Sequence, residues 1–346
     1  MIAQLRLTVP IVQAPMAGVS TPALAAAVAD AGALGSIAVG AVEPSKARAM
    51  LLEVRSRTQR PFNVNVFVHK PARAMPERES AWLSALAPAF QRFNAQPPSR
   101  LQAIYKSFAE DDEMLRLLVE MRPAVVSFHF GLPSADRICA LKNAGCFLLA
   151  TVTNADEAHA AERAGIDAVV AQGWEAGGHR GIFDPGGPDP CLGTFALVRL
   201  LVRQSKIPVI AAGGIMDGQG VRAALDLGAG AAQLGTAFIA CPESSADDDY
   251  RARLFSPAAT RTTMTRAISG RPARCLGNAF TAMAESIGLP PPDYPIAYDA
   301  GKALNSAAKA SGERGFGAHW AGQGAPLARA LPAAELIADL AREMRV

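Results

Sequence analysis

The chain has 346 residues, of which half are hydrophobic, 19% charged and only 6% aromatic, with 30 glycines and 25 prolines spread along it. That composition is globular and excludes disorder, collagen and long coiled coils. A formal charge of +3, without any Lys/Arg run, argues against nucleic acid or an anionic membrane as a partner.

Residues 8–29 carry no charge, but Pro10, Pro15 and Pro22 interrupt them and Gln13, Ser20 and Thr21 make them too polar to span a bilayer. No basic segment precedes them, so secretion is not expected. From residue 11 to about 240, short apolar runs alternate with longer segments rich in Ala, Leu and charge, the pattern of βα units. Eight strands are predicted at 11–13, 34–38, 62–66, 125–128, 147–152, 168–171, 208–212 and 231–234. Helices are predicted at 22–30, 45–56, 111–120, 134–144, 154–164, 195–204 and 220–227, several opening on a capping residue such as Ser45, Ser134 or Asn154.

Runs such as 147–152 and 208–212 are continuously apolar, as strands buried on both faces must be. The expected class is therefore α/β, with a (β/α)8 TIM barrel preferred over a doubly wound open sheet because of how residues 208–236 read. Two stretches break the rhythm. Residues 67–110 form an insertion with a helix near 81–93, and 243–324 lack βα units, which together suggest a smaller, mostly helical second domain or cap over the barrel mouth. The expected division is a barrel over 1–242, a cap and substrate segment over 243–324, and a C-terminal stretch, 325–346, whose amphipathic helix at 332–344 returns to the barrel. The five cysteines are odd in number and lack zinc spacing, so they read as reduced thiols of a cytoplasmic protein with no metal site.

Candidate chemistry gathers where strands end. Gln172-Gly173-Trp174-Glu175-Ala176-Gly177-Gly178-His179-Arg180-Gly181 follows the sixth strand, at the C-terminal mouth where barrel enzymes keep their active sites. Its glycines allow close backbone approach to a ligand and His179 titrates near neutrality; a glycine-rich turn with an exposed histidine is the competing reading. Gly213-Gly214 ends the seventh strand and Gln233-Leu234-Gly235-Thr236 the eighth, the two loops where barrels bind phosphate. Glycine for tight turns would explain one such loop more readily than two in the correct order. No GxxxxGK[ST], GxGxxG after a first strand, or GxSxG is present. A phosphate ligand without a nucleotide motif points to a cofactor that brings its own chemistry, such as FMN.

Val12-Gln13-Ala14-Pro15-Met16-Ala17-Gly18, Asn65, the segment from Gln172 to His179, Ala212-Gly213-Gly214, Gln233-Leu234-Gly235-Thr236 and Trp320-Ala321-Gly322-Gln323-Gly324 together resemble the nitronate monooxygenases, formerly 2-nitropropane dioxygenases. The resemblance implies an FMN-binding TIM barrel with a smaller second domain. It places the Ala14, Pro15 and Met16 backbone along the isoalloxazine, Asn65 and Gln172 in hydrogen bonds to it, and Gly177 nearby. It puts Gly213, Gly214, Gln233, Leu234, Gly235 and Thr236 around the phosphate, and matches His179 to the active-site histidine, a base for neutral nitroalkanes.

The bacterial class that oxidises propionate 3-nitronate is similar at Tyr105, His129, Tyr294, Tyr298 and Lys302. A nitronate bearing a carboxylate is a dianion, which these donors could hold. The implied reaction is oxidation of the nitronate by dioxygen through a flavin semiquinone, giving an aldehyde or keto acid plus nitrite or nitrate. The implied partners are thus a small-molecule nitronate and dioxygen, with the chain a monomer or homodimer. An FMN-dependent NAD(P)H:quinone or enoyl reductase of the same fold is the alternative. A flavin-free barrel for a phosphorylated metabolite is a third reading, which leaves Gln172 and the Ala14-Pro15-Met16 turn unexplained.

Overall fold

The computed structural model describes residues 1–345. Its strands in chain order are β1 (Ile11–Gln13), β2 (Gly35–Ala38), β3 (Phe62–Phe67), β4 (Val125–His129), β5 (Phe147–Val152), β6 (Ala168–Gln172), β7 (Gly178–His179), β8 (Val209–Ala212), β9 (Ala231–Leu234), β10 (Thr262–Thr265) and β11 (Ala273–Leu276). Eight of them pair in parallel in the order β1-β9-β8-β6-β5-β4-β3-β2, and a parallel bridge between Val12 and Leu34 joins the two ends. The sheet is thus a TIM barrel, as the eight apolar runs predict.

Alternate strand residues divide between two cores, because successive side chains of a strand point to opposite faces. Val12, Leu149, Val170 and Ile210 pack with Leu5 and Leu7 of the N-terminal turns. Ile11, Leu148, Val169 and Val209 instead meet the surrounding helices through residues such as Leu24, Leu51 and Leu197. Helix Ala333–Glu343 sends Leu336, Ile337 and Leu340 into this second core, and its Glu343 accepts a hydrogen bond from Gly218 N at 2.7 Å.

A separate apolar cluster joins chain segments far apart in sequence. Trp82, Leu86 and Phe90 of helix Pro76–Arg92 pack with Phe280, Ile296 and Leu304 of helices Ala279–Ile287 and Ile296–Ala310. Beside these helices lies a three-stranded antiparallel sheet, β10-β11-β7, absent from the sequence reading. Its third strand comes from the glycine-rich loop after β6: His179 pairs with Ala273 and Gly178 with Arg274.

Several helix starts differ from expectation, those at 195 and 220 moving to Thr194 and Gly218. Ser45 is not a cap, since the helix runs Pro44–Arg57 with Glu43 at the N-cap and Pro44 at its first turn, where a fixed φ and a missing N–H cost nothing. The helix expected at 81–93 begins earlier, at Pro76, with the polar turn carrying Glu77 and Glu79 that apolar periodicity does not register. Ser134 and Asn154 do cap, accepting from Arg137 N and Glu157 N.

Barrel packing leaves no room at Gly35 of β2, where an added Cβ would stand 1.9 Å from the carbonyl oxygen of Ala25 in helix Pro22–Asp30. Gly35→Ala should therefore push that helix off the sheet and cost about 1–3 kcal/mol. Urea denaturation checks this, and an unchanged midpoint would contradict the tight helix–sheet contact.

Candidate active site

The C-terminal ends of the barrel strands and the segments packed above them enclose a cavity of about 360 Å³. The turn after β1 is tied down first. Gln13 Nε2 donates to Ser20 Oγ at 2.9 Å, Met16 N donates to the same oxygen at 2.9 Å, and Gln13 Oε1 accepts from Ser36 N at 2.8 Å. These bonds fix Ala14, Pro15 and Met16 along one wall. On β3, Asn65 is oriented by donating to Ser127 Oγ at 3.0 Å.

At the ends of β8 and β9 the backbone is arranged to donate. Gly213 and Gly214 have φ of +120° and +71°, which strongly favours glycine. Among the described residues, the N–H groups of Gly213, Gly214, Gly235 and Thr236 find no protein acceptor, and all four residues line the cavity. Unpaired amide donors facing a cavity form an anion site. Thr236 Oγ accepts from Gly322 N at 3.0 Å, which leaves its proton free to donate.

The glycine loop is stapled by Gln172. Its Nε2 donates to His179 O at 3.0 Å and its Oε1 accepts from Gly181 N at 2.7 Å, so both ends of the amide are engaged within the protein. Arg180, buried, donates to Gln172 O and pairs with Asp189 at 2.8 Å. Gly177 packs so closely that a Cβ there would lie 2.4 Å from Gly322 N, bringing the Trp320-to-Gly324 segment against the loop.

His179 projects into an aromatic and basic pocket. Trp320, Tyr294 and Phe130 ring centres lie 5.0, 5.4 and 5.5 Å from its own. Its Nε2 is 2.9 Å from Ser269 Oγ, and its carbonyl lies 3.1 Å from His129 Nε2. Burial, reinforced by His129, Arg271 and His69, holds the imidazole well below its usual range, so it is neutral at neutral pH. Burial likewise lowers His129 and His69 to about 4. The Arg271 guanidinium is buried too, 4.3 Å from the Phe130 ring centre, and burial pushes it down to about 10.

Lys302 stands at the rim with its ammonium 4.8 Å from the Tyr105 ring centre and 5.4 Å from that of Tyr298, within cation–π range. Burial lowers its affinity for a proton and lifts the Tyr105 hydroxyl to about 12, so Tyr105 remains a donor.

Every residue to which the resemblance assigns a role lines this one cavity except Leu234, whose side chain packs in the core beneath the surrounding helices; Gly173, Trp174, Glu175, Arg180 and Gly181 of the glycine segment do not line it. Sequence reasoning missed Ser269 and Arg271, which touch the site from a connection about ninety residues beyond His179 and carry no motif. It also left Tyr250 unassigned, whose hydroxyl donates to Trp320 O beneath the cavity. Among the described residues there is no group of three or more His, Cys, Asp or Glu placed to hold a metal, and no helix long and apolar enough to cross a membrane.

Comparison with known proteins agrees with this geometry. The family model for nitronate monooxygenase matches residues 1–343. A nitronate monooxygenase of Paraburkholderia phytofirmans is 62% identical, the match covering 97% of this chain and 92% of the relative. One from Pseudomonas aeruginosa is 57% identical over 97% and 96%. Among solved structures, a nitroalkane oxidase from Streptomyces ansochromogenes superposes with a TM-score of 0.90 at 39% identity, over 99% of this chain and 97% of the other.

The buried histidines make stability depend on pH. His69, His129 and His319 go from an ordinary 6.5 to about 4 on folding, so the unfolded chain binds more protons between those values. Stability should be full above about pH 6.5 and fall as pH drops toward about 4. Melting temperatures across that window check the sign, and His129→Gln should flatten the slope.

Proposed function

The chain belongs to the nitronate monooxygenase family, a group of flavin-dependent oxidoreductases, and on that footing we propose that it binds FMN and oxidises propionate 3-nitronate with dioxygen. The observation that carries this reading is a single cavity with two anion sites: the four free backbone donors at the ends of β8 and β9, and the Lys302, Tyr105 and Tyr298 cluster on the opposite, helical side.

The residues present suit FMN. A phosphate dianion would complete the orphaned N–H groups of Gly213, Gly214, Gly235 and Thr236, with the Thr236 hydroxyl as a further donor. A flat ring system would lie along the Ala14 to Met16 wall, within reach of Asn65. When bound there, the flavin supplies oxidation of the nitronate and the route of electrons to dioxygen.

The chain's own residues supply binding, orientation and proton management. Lys302 and the tyrosine hydroxyls hold the substrate carboxylate, leaving the nitronate end beside His179. The basic and neutral surround of Arg271, His69 and His129 favours anionic ligands. A nitronate arrives already deprotonated and needs no base. For a neutral nitroalkane, neutral His179 removes the α-proton. Products are an aldehyde or keto acid with nitrite or nitrate.

An anaerobic absorption spectrum before and after adding propionate 3-nitronate tests the whole reading: a yellow protein whose flavin bands change on addition supports it. A yellow protein that responds to NADPH and not to nitronate would make it a reductase, and failure to take up FMN would remove the basis of the reading. Lys302→Met should raise KM for propionate 3-nitronate about tenfold or more. It should leave ethyl nitronate, which lacks a carboxylate, nearly unchanged; equal losses would remove the carboxylate assignment. His179→Asn should keep FMN and lose more activity on neutral nitroalkanes than on nitronates, while equal losses would exclude proton abstraction.

A further inference from the structure

Ser269 lies in the connection between β10 and β11, 1% exposed, with its Oγ 2.9 Å from Nε2 of His179. The same oxygen accepts from Arg271 N at 3.4 Å and reaches Arg271 O at 3.3 Å. The other ring nitrogen, Nδ1, makes no hydrogen bond among the described residues and is not among the sealed, unpartnered polar atoms. Since the imidazole lines the cavity, Nδ1 is the nitrogen available to a ligand. A hydroxyl carries one proton and two lone pairs, so it can donate to one neighbour while accepting from another.

We propose that Ser269 is a positioning residue that sets the tautomer of His179 by rotating its O–H between Nε2 of His179 and the carbonyl of Arg271. This rests on the reading of the cavity as a nitronate site, and it gives one histidine two roles. With a neutral nitroalkane, the Cα–H bond breaks, its electron pair becomes the C=N bond of the nitronate with charge on the nitro oxygens, and the proton goes to Nδ1. The imidazolium then donates Nε2–H to Ser269 Oγ, whose proton turns to Arg271 O. With a nitronate, Ser269 donates to Nε2 instead, and Nδ1–H donates to a nitronate oxygen.

Among the described residues, Ser269 Oγ is the protein atom hydrogen-bonded to Nε2 of His179. The titratable groups facing His179 are His129 at the end of β4, His69 after β3, Tyr294 and Tyr298 at helix Ile296–Ala310, and Arg271. The arginine opposes a positive imidazole, and the tyrosines remain protonated. Ser269 Oγ is the acceptor that makes the imidazolium tolerable in this pocket.

The test compares the FMN-loaded wild type with Ser269→Ala and Ser269→Thr on nitroethane and on ethyl nitronate. Ser269→Ala should lower kcat/KM for nitroethane by about tenfold or more, and shift the acid limb of its pH profile to lower pH. Nitronate turnover should fall too, but by a smaller factor of about threefold, because there Ser269 bonds an uncharged imidazole. Ser269→Thr, which keeps the hydroxyl, should restore the profile. Equal losses on both substrates, or no loss, would overturn the proposal. A readout independent of turnover is nitrogen NMR of isotope-labelled histidine: Ser269→Ala should change the tautomer ratio of His179, and an unchanged ratio would overturn the proposal whatever the activity. Inactivity of the wild type on both substrates would instead count against the nitronate reading, and the tautomer ratio would still decide the role of Ser269.

Discussion

Both ends of the Gln172 amide close on the chain that follows it, one on His179 O and the other on Gly181 N. Much of the site depends on that staple. It folds the glycine loop back over the barrel mouth as a strand, and this strand then pairs with β11. The pairing brings the Ser269-to-Arg271 connection beneath the imidazole. Arg180 reinforces the same fold from below, pinned between Gln172 O and Asp189. The polar groups of a buried loop must find partners, and here the partners themselves dictate where the histidine points.

The cavity assembled this way is asymmetric in charge. Its donors are backbone amides at the barrel end and a lysine and tyrosines at the helical end; His129 and His179 line it as neutral imidazoles, and Arg271 is buried against Phe130. Burial raises the cost of every charge it holds, so the histidines stay neutral and the tyrosines stay protonated. Such a pocket welcomes anions and gives a cationic imidazole little support except through a hydrogen-bond acceptor at its far nitrogen. On the proposed reading, specificity for the anion and control of the histidine proton come from one electrostatic arrangement.

Much of this was legible along the chain. The strands at 147–152 and 231–234 coincide with the predicted runs, because strands buried on both faces are mainly apolar. The glycines at 213 and 214 announced themselves, since a donor loop at a strand end tolerates little else. Other features gave no local signal. The first turn of helix Pro76–Arg92 is polar and exposed, and β10 and β11 are short strands whose stability comes from pairing.

The sequence by itself determined the eight apolar runs and the glycine loops at the strand ends, because periodicity and glycine placement are local consequences of burial and backbone geometry, while Asn65, Tyr105, Tyr294, Tyr298 and Lys302 were placed at the mouth by the family resemblance. Only the tertiary structure decided that Leu234 turns into the core, that Gln172 spends its amide on the loop, and that Ser269 meets His179. Contacts between residues ninety positions apart depend on which strands pair and which segments share an apolar cluster, and no short window of residues carries that information.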